Sequence, residues 1–490
     1  MKSSYIFEQI LQLEADGISK DSETGFLKVE NHIISPDLSR EIYFMNPDNL
    51  QKSDVFNMAS DFCEGIAAVG IKGKGCGYIN TDFEFISEPI YDNVSCFCNG
   101  IAQVSLDNKN FFIDKTGNAI FDPEILSRRK YTDIEFFSEG LCRVSAMPAT
   151  EKELVRRSRS SDLAGIWGYI NQKGEETVKP RFVYAEDFLD SFAVAAKGKW
   201  VFDKENFDYI AKDVRWGVID KNGNEVIPFE FSSIKRMLSD RSMFAVCTGE
   251  GRWGVADSHG SITFDPVFEA VADCCNGLVV FSNDREKSDC YNYELYGIYD
   301  LDKKEILFNS QFYKVSFEED NLLKVAVFDK ELDRTVEKII DRSGKEIFKS
   351  PYTLIATFRQ PYTVCVRENG EEAQGLTDKN GNIIFPLTKG IDITGIHYEQ
   401  KRIVFNEDRK KYMCDFDGNR LTERTYDSIN GFEDRFLTVT VREKGKNLQG
   451  IIDLDGNTVI EPVCDRVITL NGNRGFVTVR GKNAEYIKLI

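Results

Sequence analysis

Histidine is scarce in this chain, with 3 residues among 490. Because histidine is a common general base and zinc ligand, few ordinary sites of either kind can be built. The 12 cysteines are scattered, and neither Cys96-x-Cys98 nor Cys274-Cys275 has the spacing of zinc ligands. We therefore expect no metal and no cofactor, and we expect reduced, buried thiols typical of a cytoplasmic protein.

Long apolar runs and basic clusters are also missing. No segment approaches the roughly 18 apolar residues of a membrane span, and Glu8 and Gln9 interrupt any signal-peptide core at the N-terminus. The 62 Lys and Arg are outnumbered by 80 Asp and Glu, which gives a net charge of −18. Because binding to a phosphate backbone needs clustered cations, we expect neither nucleic acid nor a membrane as a partner.

The motifs of common enzyme classes are absent, apart from one match to G-x-G-x-x-G at Gly249–Gly254. A dinucleotide-binding loop requires a strand before this motif and a helix after it. Here a short β-rich run follows, and it ends in a turn at Gly260. The segment is therefore interpreted as a tight β-turn between two strands.

An internal repeat accounts for most of the sequence. A short β-rich run ending in Asp or Asn recurs ten times, most clearly as Trp-Gly-x-Ile-Asp, and the most frequent spacing is 37 residues. Its last residues are Asn80, Asp114, Asn171, Asp220, Asp257, Asp300, Asp341, Asp378, Asp415 and Asp453.

Each copy continues in a similar way, and the pattern predicts three antiparallel strands. Gly usually follows three residues after the Asp, as in Asp220-Lys-Asn-Gly223, which suits a turn that needs positive φ. A β-branched run then leads to a Pro, where we expect the second strand to end because Pro has no N–H. A third strand, such as the one ending at Val104, leads to the next Trp-Gly. One such unit cannot bury both faces, so neighbours must stack, with aromatic residues filling the seams.

This block resembles the bacterial WG-repeat family, with the best copies at 167–195, 216–246 and 253–281. The resemblance implies a β-repeat scaffold with no general chemistry and no catalytic residues to carry over. We predict an all-β fold of about ten three-stranded antiparallel meander repeats stacked as an open twisted β-array. A propeller-like arrangement remains the alternative.

Two domains are predicted. Residues 55–490 form the repeat array, and residues 1–54 form an N-terminal helix with a degenerate capping repeat. The helix is predicted over residues 1–15, because Ile6, Ile10 and Leu13 have helical spacing.

Four insertions fall between the third strand of one unit and the first strand of the next, so equivalent positions should lie along one edge. They span 147–165, 198–214, 283–294 and 329–336. Arg and aromatic side chains dominate binding hot spots, so we select candidates for partner binding from these loops. The candidates are Arg156, Arg157, Arg159, Trp200, Tyr209, Tyr291 and Tyr293.

These features favour a non-enzymatic scaffold that binds a protein partner through the inserted loops. Neutral drift of the loops would explain the insertions equally simply, because surface loops tolerate added residues. A toxin-neutralising immunity role is one form of the binding hypothesis, and it rests on the acidic charge of the chain. A carbohydrate-active or other hydrolytic enzyme is the alternative, and it would need a cleft with convergent carboxylates.

Overall fold

A computed structural model describes most of the chain and shows that it is built from antiparallel strands. The described residues are 7–32, 40–122, 124–129, 131–146, 165–203, 205, 208–287, 292–318, 321–330, 334–346, 353–357, 362–368, 371–378, 382–431, 435–470 and 475–489. A single short helix among them, α1, spans Glu124–Arg128. The all-β prediction is confirmed.

The strands, in chain order, are β1 Phe7–Glu14, β2 Gly17–Lys20, β3 Leu27–His32, β4 Arg40–Met45, β5 Met58–Ala59, β6 Ile66–Ile71, β7 Gly75–Asn80, β8 Phe85–Tyr91, β9 Asn93–Val94, β10 Ile101–Leu106, β11 Lys109–Asp114, β12 Tyr131–Ser138, β13 Leu141–Ala146, β14 Ile166–Asn171, β15 Glu176–Phe182, β16 Tyr184–Ala185, β17 Phe192–Asp203, β18 Asp208–Asp220, β19 Glu225–Phe231, β20 Ser233–Arg236, β21 Met243–Cys247, β22 Trp253–Asp257, β23 Ile262–Phe268, β24 Ala270–Cys275, β25 Leu278–Lys287, β26 Asn292–Asp300, β27 Glu305–Phe312, β28 Lys314–Phe317, β29 Leu323–Asp329, β30 Arg334–Ile340, β31 Thr353–Thr357, β32 Tyr362–Glu368, β33 Glu371–Thr377, β34 Ile383–Lys389, β35 Asp392–His397, β36 Arg402–Glu407, β37 Lys410–Asp415, β38 Ser428–Asn430, β39 Phe436–Glu443, β40 Lys446–Asp453, β41 Thr458–Cys464, β42 Arg466–Thr469, β43 Gly475–Arg480 and β44 Asn483–Leu489.

The chain divides into two compact units. Unit 1 comprises Met1–Gly73, Asn80–Glu84 and Phe328–Ile490, and unit 2 comprises Lys74–Ile79 and Phe85–Val327. In unit 1 the strand neighbours are β2-β3-β4, β5-β6, β30-β31-β32-β33-β34, β35-β36-β37, β38-β39-β40-β41 and β1-β44-β43-β42. In unit 2 they are β7-β8, β9-β10-β11, β12-β13-β14-β15, β16-β17-β18-β19, β20-β21-β22-β23, β24-β25-β26-β27 and β28-β29.

Each four-stranded sheet of the repeats, such as β16-β17-β18-β19, contains the predicted three-stranded meander and one additional strand. The Trp-Gly run occupies the third strand, as in β14, β18 and β22, and the Asp-x-x-Gly turn joins it to the fourth. The strand that was predicted to precede Trp-Gly is the second strand of the sheet, as β17 is in β16-β17-β18-β19. A short first strand, such as β16, follows the aromatic residue after the Pro and pairs with the second strand. The tandem antiparallel repeat is therefore confirmed, with four strands in most sheets.

The Asp-x-x-Gly turns owe their shape to one carboxylate oxygen. Asp220 Oδ1 accepts the N–H groups of Asn222 at 2.9 Å and Asn224 at 2.8 Å, while Gly223 adopts φ 80°. The acceptor satisfies backbone donors that the tight turn leaves without a ladder partner. The same arrangement of two backbone donors recurs at Asn80, Asp114, Asn171, Asp257, Asp341, Asp415 and Asp453.

The fourth strand does not end at its Pro. Strand β15 continues through Pro180 to Phe182, and its register shifts between Trp167 and Tyr169. Because β15 is an edge strand, the missing Pro N–H costs no ladder hydrogen bond. At the register shift a Cβ on Gly168 would lie 2.5 Å from the carbonyl oxygen of Val178. The glycine of Trp-Gly thus permits the close approach of the fourth strand.

The N-terminal helix prediction is wrong for the described part of residues 1–15. Residues Phe7–Glu14 form β1, which pairs with β44 in antiparallel register from Phe7↔Leu489 to Glu14↔Asn483. Residues 11–15 also fit a strand, because Leu13 and Ala15 are buried while Gln12 and Glu14 are exposed. The long-range ladder decides between the two patterns.

Aromatic side chains fill the seams between successive sheets, as predicted. The ring centroids of Tyr169 and Phe188 lie 4.7 Å apart, and the Tyr169 hydroxyl donates to the carbonyl oxygen of Glu186 at 2.6 Å. A carboxylate adds to the same seam: Glu139 accepts the N–H groups of Asp190 at 2.6 Å and Ser191 at 2.9 Å. These contacts join one repeat to the turn of the next.

The Gly249–Gly254 segment is a turn between β21 and β22, as interpreted from the sequence. Gly251 has φ 77°, its N–H donates to the Thr248 carbonyl at 3.0 Å, and the Thr248 N–H donates to the Arg252 carbonyl at 2.8 Å. A strand follows at Trp253, so the segment lacks the helix N-terminus that a pyrophosphate would require.

Candidate functional site

The Trp rings of the repeats are packing elements. Trp167 is covered by the Arg143 guanidinium at 5.2 Å, and Trp253 by the Lys235 ammonium at 4.8 Å. Trp216 stacks on Tyr184 with ring centroids 5.6 Å apart and an interplanar angle of 3°. Each ring is half-buried and already has a cationic or aromatic neighbour of its own chain. They are therefore poor candidates for an open ligand platform.

Segment 198–214, here called the inserted hairpin, is an ordered extension of β17 and β18. The ladder continues outward from the Trp-Gly part of the sheet to the pair Asp203↔Asp208. A bulge between Lys197 and Lys199 marks its base, and bulges commonly redirect the faces of a strand. The sequence places the insertion correctly between two strands, and the structure shows that it is a hairpin.

The inner face of the inserted hairpin is anchored to the sheet below it. The Trp200 indole N–H donates to the Gly165 carbonyl at 2.9 Å, and its ring meets Tyr184 edge-on at 5.8 Å. Tyr209, on the partner strand, is buried. The prediction that Tyr209 is available to a partner is therefore wrong, because alternation along the strand directs this residue inward.

The outer face of the inserted hairpin, defined by Lys199, Val201, Ile210 and Lys212, is open to solvent. Val201 and Ile210 lie directly opposite each other, and each is 39% exposed. Lys199 and Lys212 form the adjacent cross-strand pair and are both exposed. This apolar pair, held outward on the ribbon, is a candidate contact surface that the described residues leave partly open.

Sequence reasoning selected the aromatic residues of this segment and missed the aliphatic pair. The signal that could have found the pair is the alternation within Lys199-Trp-Val-Phe-Asp203, which assigns Trp200 and Val201 to opposite faces. Large aromatic residues anchor the hairpin because they have the most surface to bury. The smaller aliphatic residues are then left on the solvent side.

The remaining predicted residues are not brought together by the described structure. Arg156, Arg157, Arg159 and Tyr291 lie outside the described residues. Tyr293 lies in β26 and pairs with Glu286 in a second extended hairpin, where the ladder continues from Asp284↔Leu295 to Lys287↔Asn292. This hairpin also joins the second and third strands of its sheet, so it occupies the position equivalent to that of the inserted hairpin.

Buried thiols occupy several strand positions. Cys142, Cys247, Cys274, Cys414 and Cys464 are buried, and ten of the 12 cysteines are free of a disulfide. Burial raises the pKa of Cys274 to about 12 and that of Cys414 to about 11. These groups stay protonated near neutral pH and act as small apolar residues.

Unit 1 contains a polar cleft of about 540 Å³. Glu423 and Glu461 contribute carboxylates to its wall, and the Arg424 guanidinium lies 3.4 Å from the Glu461 carboxylate and 5.3 Å from the centre of the Tyr426 ring. The Glu461 carboxylate is therefore paired with a guanidinium.

Within the described ranges, no group of three or more His, Cys, Asp or Glu could hold a metal ion. The part of the chain that the structure describes also contains no helix long and apolar enough to cross a bilayer.

Solved structures with a similar chain path are remote. The tricorn protease aligns over 95% of this chain and 56% of its own, with 10% identity and a TM-score of 0.24. A eukaryotic initiation factor aligns over 67% and 91%, with 11% identity and a TM-score of 0.28. The Pyrococcus horikoshii acylaminoacyl peptidase aligns over 55% and 51%, with 10% identity and a TM-score of 0.24. This chain thus spans little more than half of either peptidase, and such TM-scores support no inference. No curated protein matches the sequence.

The repeat itself is matched by a known family, described as the WG containing repeat. The matches cover residues 77–109, 167–200, 216–250 and 450–482. Each begins at or next to the Trp-Gly position of the third strand and continues through the turn that follows Asp or Asn and the fourth strand. The chain therefore contains WG repeats in these four segments.

Proposed function

We propose that this protein is a non-enzymatic repeat scaffold of the cytoplasm that binds a protein partner through hairpins inserted between its repeats. The outer face of the inserted hairpin is the proposed contact surface. The exposed Val201–Ile210 pair, held on a ribbon that is anchored through Trp200, is the observation that carries this proposal.

Physical arguments favour recognition over neutral drift of this insertion. Drifting loops tolerate exposed polar residues, whereas an exposed aliphatic pair only adds to the risk of aggregation unless something covers it. Complete burial of each side chain by a partner would contribute on the order of 1 kcal/mol, at about 25 cal/mol per Å². The hydrogen bond of Trp200 and the burial of Tyr209 restrain the ribbon before a partner binds, which reduces the ordering cost of binding.

Affinity capture from native lysate followed by mass spectrometry tests the proposal. Wild type is compared with a V201S/I210S variant and with a variant in which residues 198–214 are replaced by a two-residue Gly turn. A V267S/I306S variant is the matched control, because Val267 is 53% and Ile306 is 45% exposed on fourth strands of the same unit. Circular dichroism must first show that every variant folds.

We expect a partner that is lost from both hairpin variants and retained by the control. The same partners in all four samples would contradict the proposal and assign the insertion to drift. If no partner is captured by any sample, the enzymatic alternative gains support, and a substrate screen directed at the cleft between Tyr426 and Glu461 follows. A captured toxin would identify the partner as the immunity-type form of this function.

A further inference from the structure

The part of the outer face that lies next to the Val201–Ile210 pair is cationic. Lys199 and Lys212 lie directly opposite each other there, one step closer to the base of the inserted hairpin. Residues two apart on a strand share a face and lie about 7 Å apart. The outer face therefore presents an aliphatic row and, next to it, a lysine row.

The two lysines of this row differ from the lysine that precedes them at the base of the hairpin. Lys197 is ion-paired with the Glu225 carboxylate, and its ammonium lies 4.3 Å from the centre of the Phe229 ring. Lys199 and Lys212 are exposed, and neither forms an ion pair with a described residue. The chain thus compensates the charge at the base and leaves the lysine row uncompensated.

The lysine row lowers the stability of the hairpin that carries it. Like charges directly opposite each other in an antiparallel ladder repel, whereas an opposite-charge pair at the same positions would stabilise the ladder. The aliphatic row beside it is also partly open to water. A surface that brings carboxylates to the lysines and an apolar side chain to Val201 and Ile210 would relieve both costs at once.

We infer that the partner of this face is a protein that presents an acidic segment with an apolar residue in it. The inference rests on the proposed function, because it takes the outer face to be a protein-binding surface. The apolar residue covers Val201 and Ile210, and the carboxylates reach Lys199 and Lys212. In an extended segment, a carboxylate two residues from the apolar side chain lies about 7 Å from it, which matches the distance between the two rows.

The charge of the whole chain acts in the opposite sense but over a longer range. A net charge of −18 favours a basic partner. At physiological ionic strength, exposed charges are screened beyond about 8 Å, so the groups in direct contact decide the preference at this face. Of the hairpin's own carboxylates, Asp203 accepts the Glu205 N–H at 2.9 Å near the tip, and Asp213 lies in the bulge at the base. The lysine row is therefore open to carboxylates of a partner.

Charge reversal on the full chain tests the inference by affinity capture from nuclease-treated native lysate. K199E/K212E reverses the charge of the row but keeps like charges opposite each other, and K199R/K212R keeps the positive charge. K173E/K179E makes the same change of charge at exposed sites outside the hairpin. We expect K199E/K212E to weaken capture of a protein roughly tenfold, because two exposed ion pairs become two repulsions. The other two variants should retain it.

Carbodiimide coupling identifies the groups that contact the lysine row. The reagent activates carboxylates, and a lysine in contact with one forms an amide bond that mass spectrometry locates. We expect links from Lys199 and Lys212 to one acidic segment of the captured protein, and none from Lys173 or Lys179. K199R/K212R should keep the protein and lose these links, because a guanidinium does not couple.

The single variant K212E tests the repulsion within the row. It places opposite charges across the ladder, so backbone amides in 199–203 and 208–212 should exchange roughly two- to fivefold more slowly. Capture should nevertheless weaken. Amide exchange as fast as in wild type would contradict the repulsion between Lys199 and Lys212.

Three results would overturn the inference: equal capture by K199E/K212E and wild type, a complex without links from Lys199 or Lys212, or capture that occurs only when nuclease is omitted. The last result would indicate a nucleic acid. The proposed function is tested separately. If V201S/I210S loses a protein that K199E/K212E retains, the hairpin binds through its aliphatic row and only this inference fails. If neither variant loses a protein, both proposals fail.

Discussion

Phe7 lies opposite Leu489, so the first and last described strands of the chain are hydrogen-bonded neighbours in one sheet. The core beneath this sheet draws on both ends of the chain. Leu13, Ile18 and Leu27 pack with Val477 and Tyr486. The N-terminal residues are therefore part of the fold of unit 1, and their contribution can be measured.

Replacing Leu13 with Ala should destabilise unit 1 by about 2–4 kcal/mol, since a buried Leu→Ala change removes apolar contacts and leaves a cavity. Leu13 is 9% exposed. Gln12→Ala is the matched control, because its side chain lies on the exposed face of the same strand. Urea unfolding, monitored by far-UV circular dichroism, measures the free energy of unfolding of both variants. Equal stability of the two variants would show that β1 contributes little to the sheet.

Adding one methyl group at Gly168 should destabilise unit 2 by about 1–3 kcal/mol, the usual cost of overpacking. The new Cβ would lie 2.5 Å from the carbonyl oxygen of Val178 and from the nitrogen of Pro180. Both are backbone atoms, which cannot move aside without shifting β15. Gly249→Ala is the control, because its Cβ would meet nothing within 4 Å. Thermal unfolding of the two variants gives the comparison, and similar midpoints would argue against the close-approach role.

Acid should destabilise the turns through their aspartates. The Thr116 hydroxyl, followed by backbone N–H groups, lowers the pKa of Asp114, and Ser343 does the same for the pKa of Asp341. A carboxylate whose pKa is lowered by folding stabilises the native state above its unfolded pKa. That stabilisation is lost as the pH falls through the folded value.

The D114N/D341N variant should therefore have a weaker dependence of stability on pH below about pH 4, near the ordinary aspartate pKa. Asn occupies the same turn position at Asn80 and Asn171 and accepts the same backbone donors, so the substitution keeps the turn and removes the titration. Urea midpoints at pH 6 and pH 3 provide the test. A pH dependence equal to that of wild type would mean that these carboxylates do not contribute.

The two faces of the inserted hairpin should respond differently to substitution. Trp200→Ala removes the hydrogen bond to Gly165 and the contact with Tyr184, so backbone amides in 199–203 and 208–212 should exchange faster. Val201→Ser on the outer face should change stability by less than about 0.5 kcal/mol, as for most surface substitutions. Hydrogen exchange with mass spectrometry measures both variants. Faster exchange in V201S would show that this side chain supports the hairpin itself.

Local pattern was sufficient for the repeat and its turns, because the signals lie within a few residues of one another. Asp220-Lys-Asn-Gly223 specifies its turn by one acceptor oxygen and one residue with positive φ, and no distant contact is needed. At Gly168 of the Trp-Gly pair, by contrast, the fourth strand approaches so closely that a side chain would not fit. The cause, the neighbouring backbone at Val178 and Pro180, is visible only in the structure.

Local sequence pattern was insufficient in two places. In the N-terminal segment both a helical and a strand period fitted the same residues, and in the inserted hairpin each residue had to be assigned to the inner or the outer face. The spacing of Ile6, Ile10 and Leu13 fits a helix, yet the edge of β44 recruits Phe7–Glu14 as a strand. In the inserted hairpin, composition favoured Tyr209 as a binding residue, but the ladder register turned it inward and left Val201 and Ile210 outside.

Four features followed from the amino-acid sequence alone, namely the all-β class, the tandem repeat, the turn chemistry and the positions of the insertions. All of these depend on residues close together in the chain. The pairing of β1 with β44 and the anchoring of Trp200 to Gly165 emerged only in the tertiary structure. Those features are set by contacts between segments far apart in sequence, whose energies no local pattern contains.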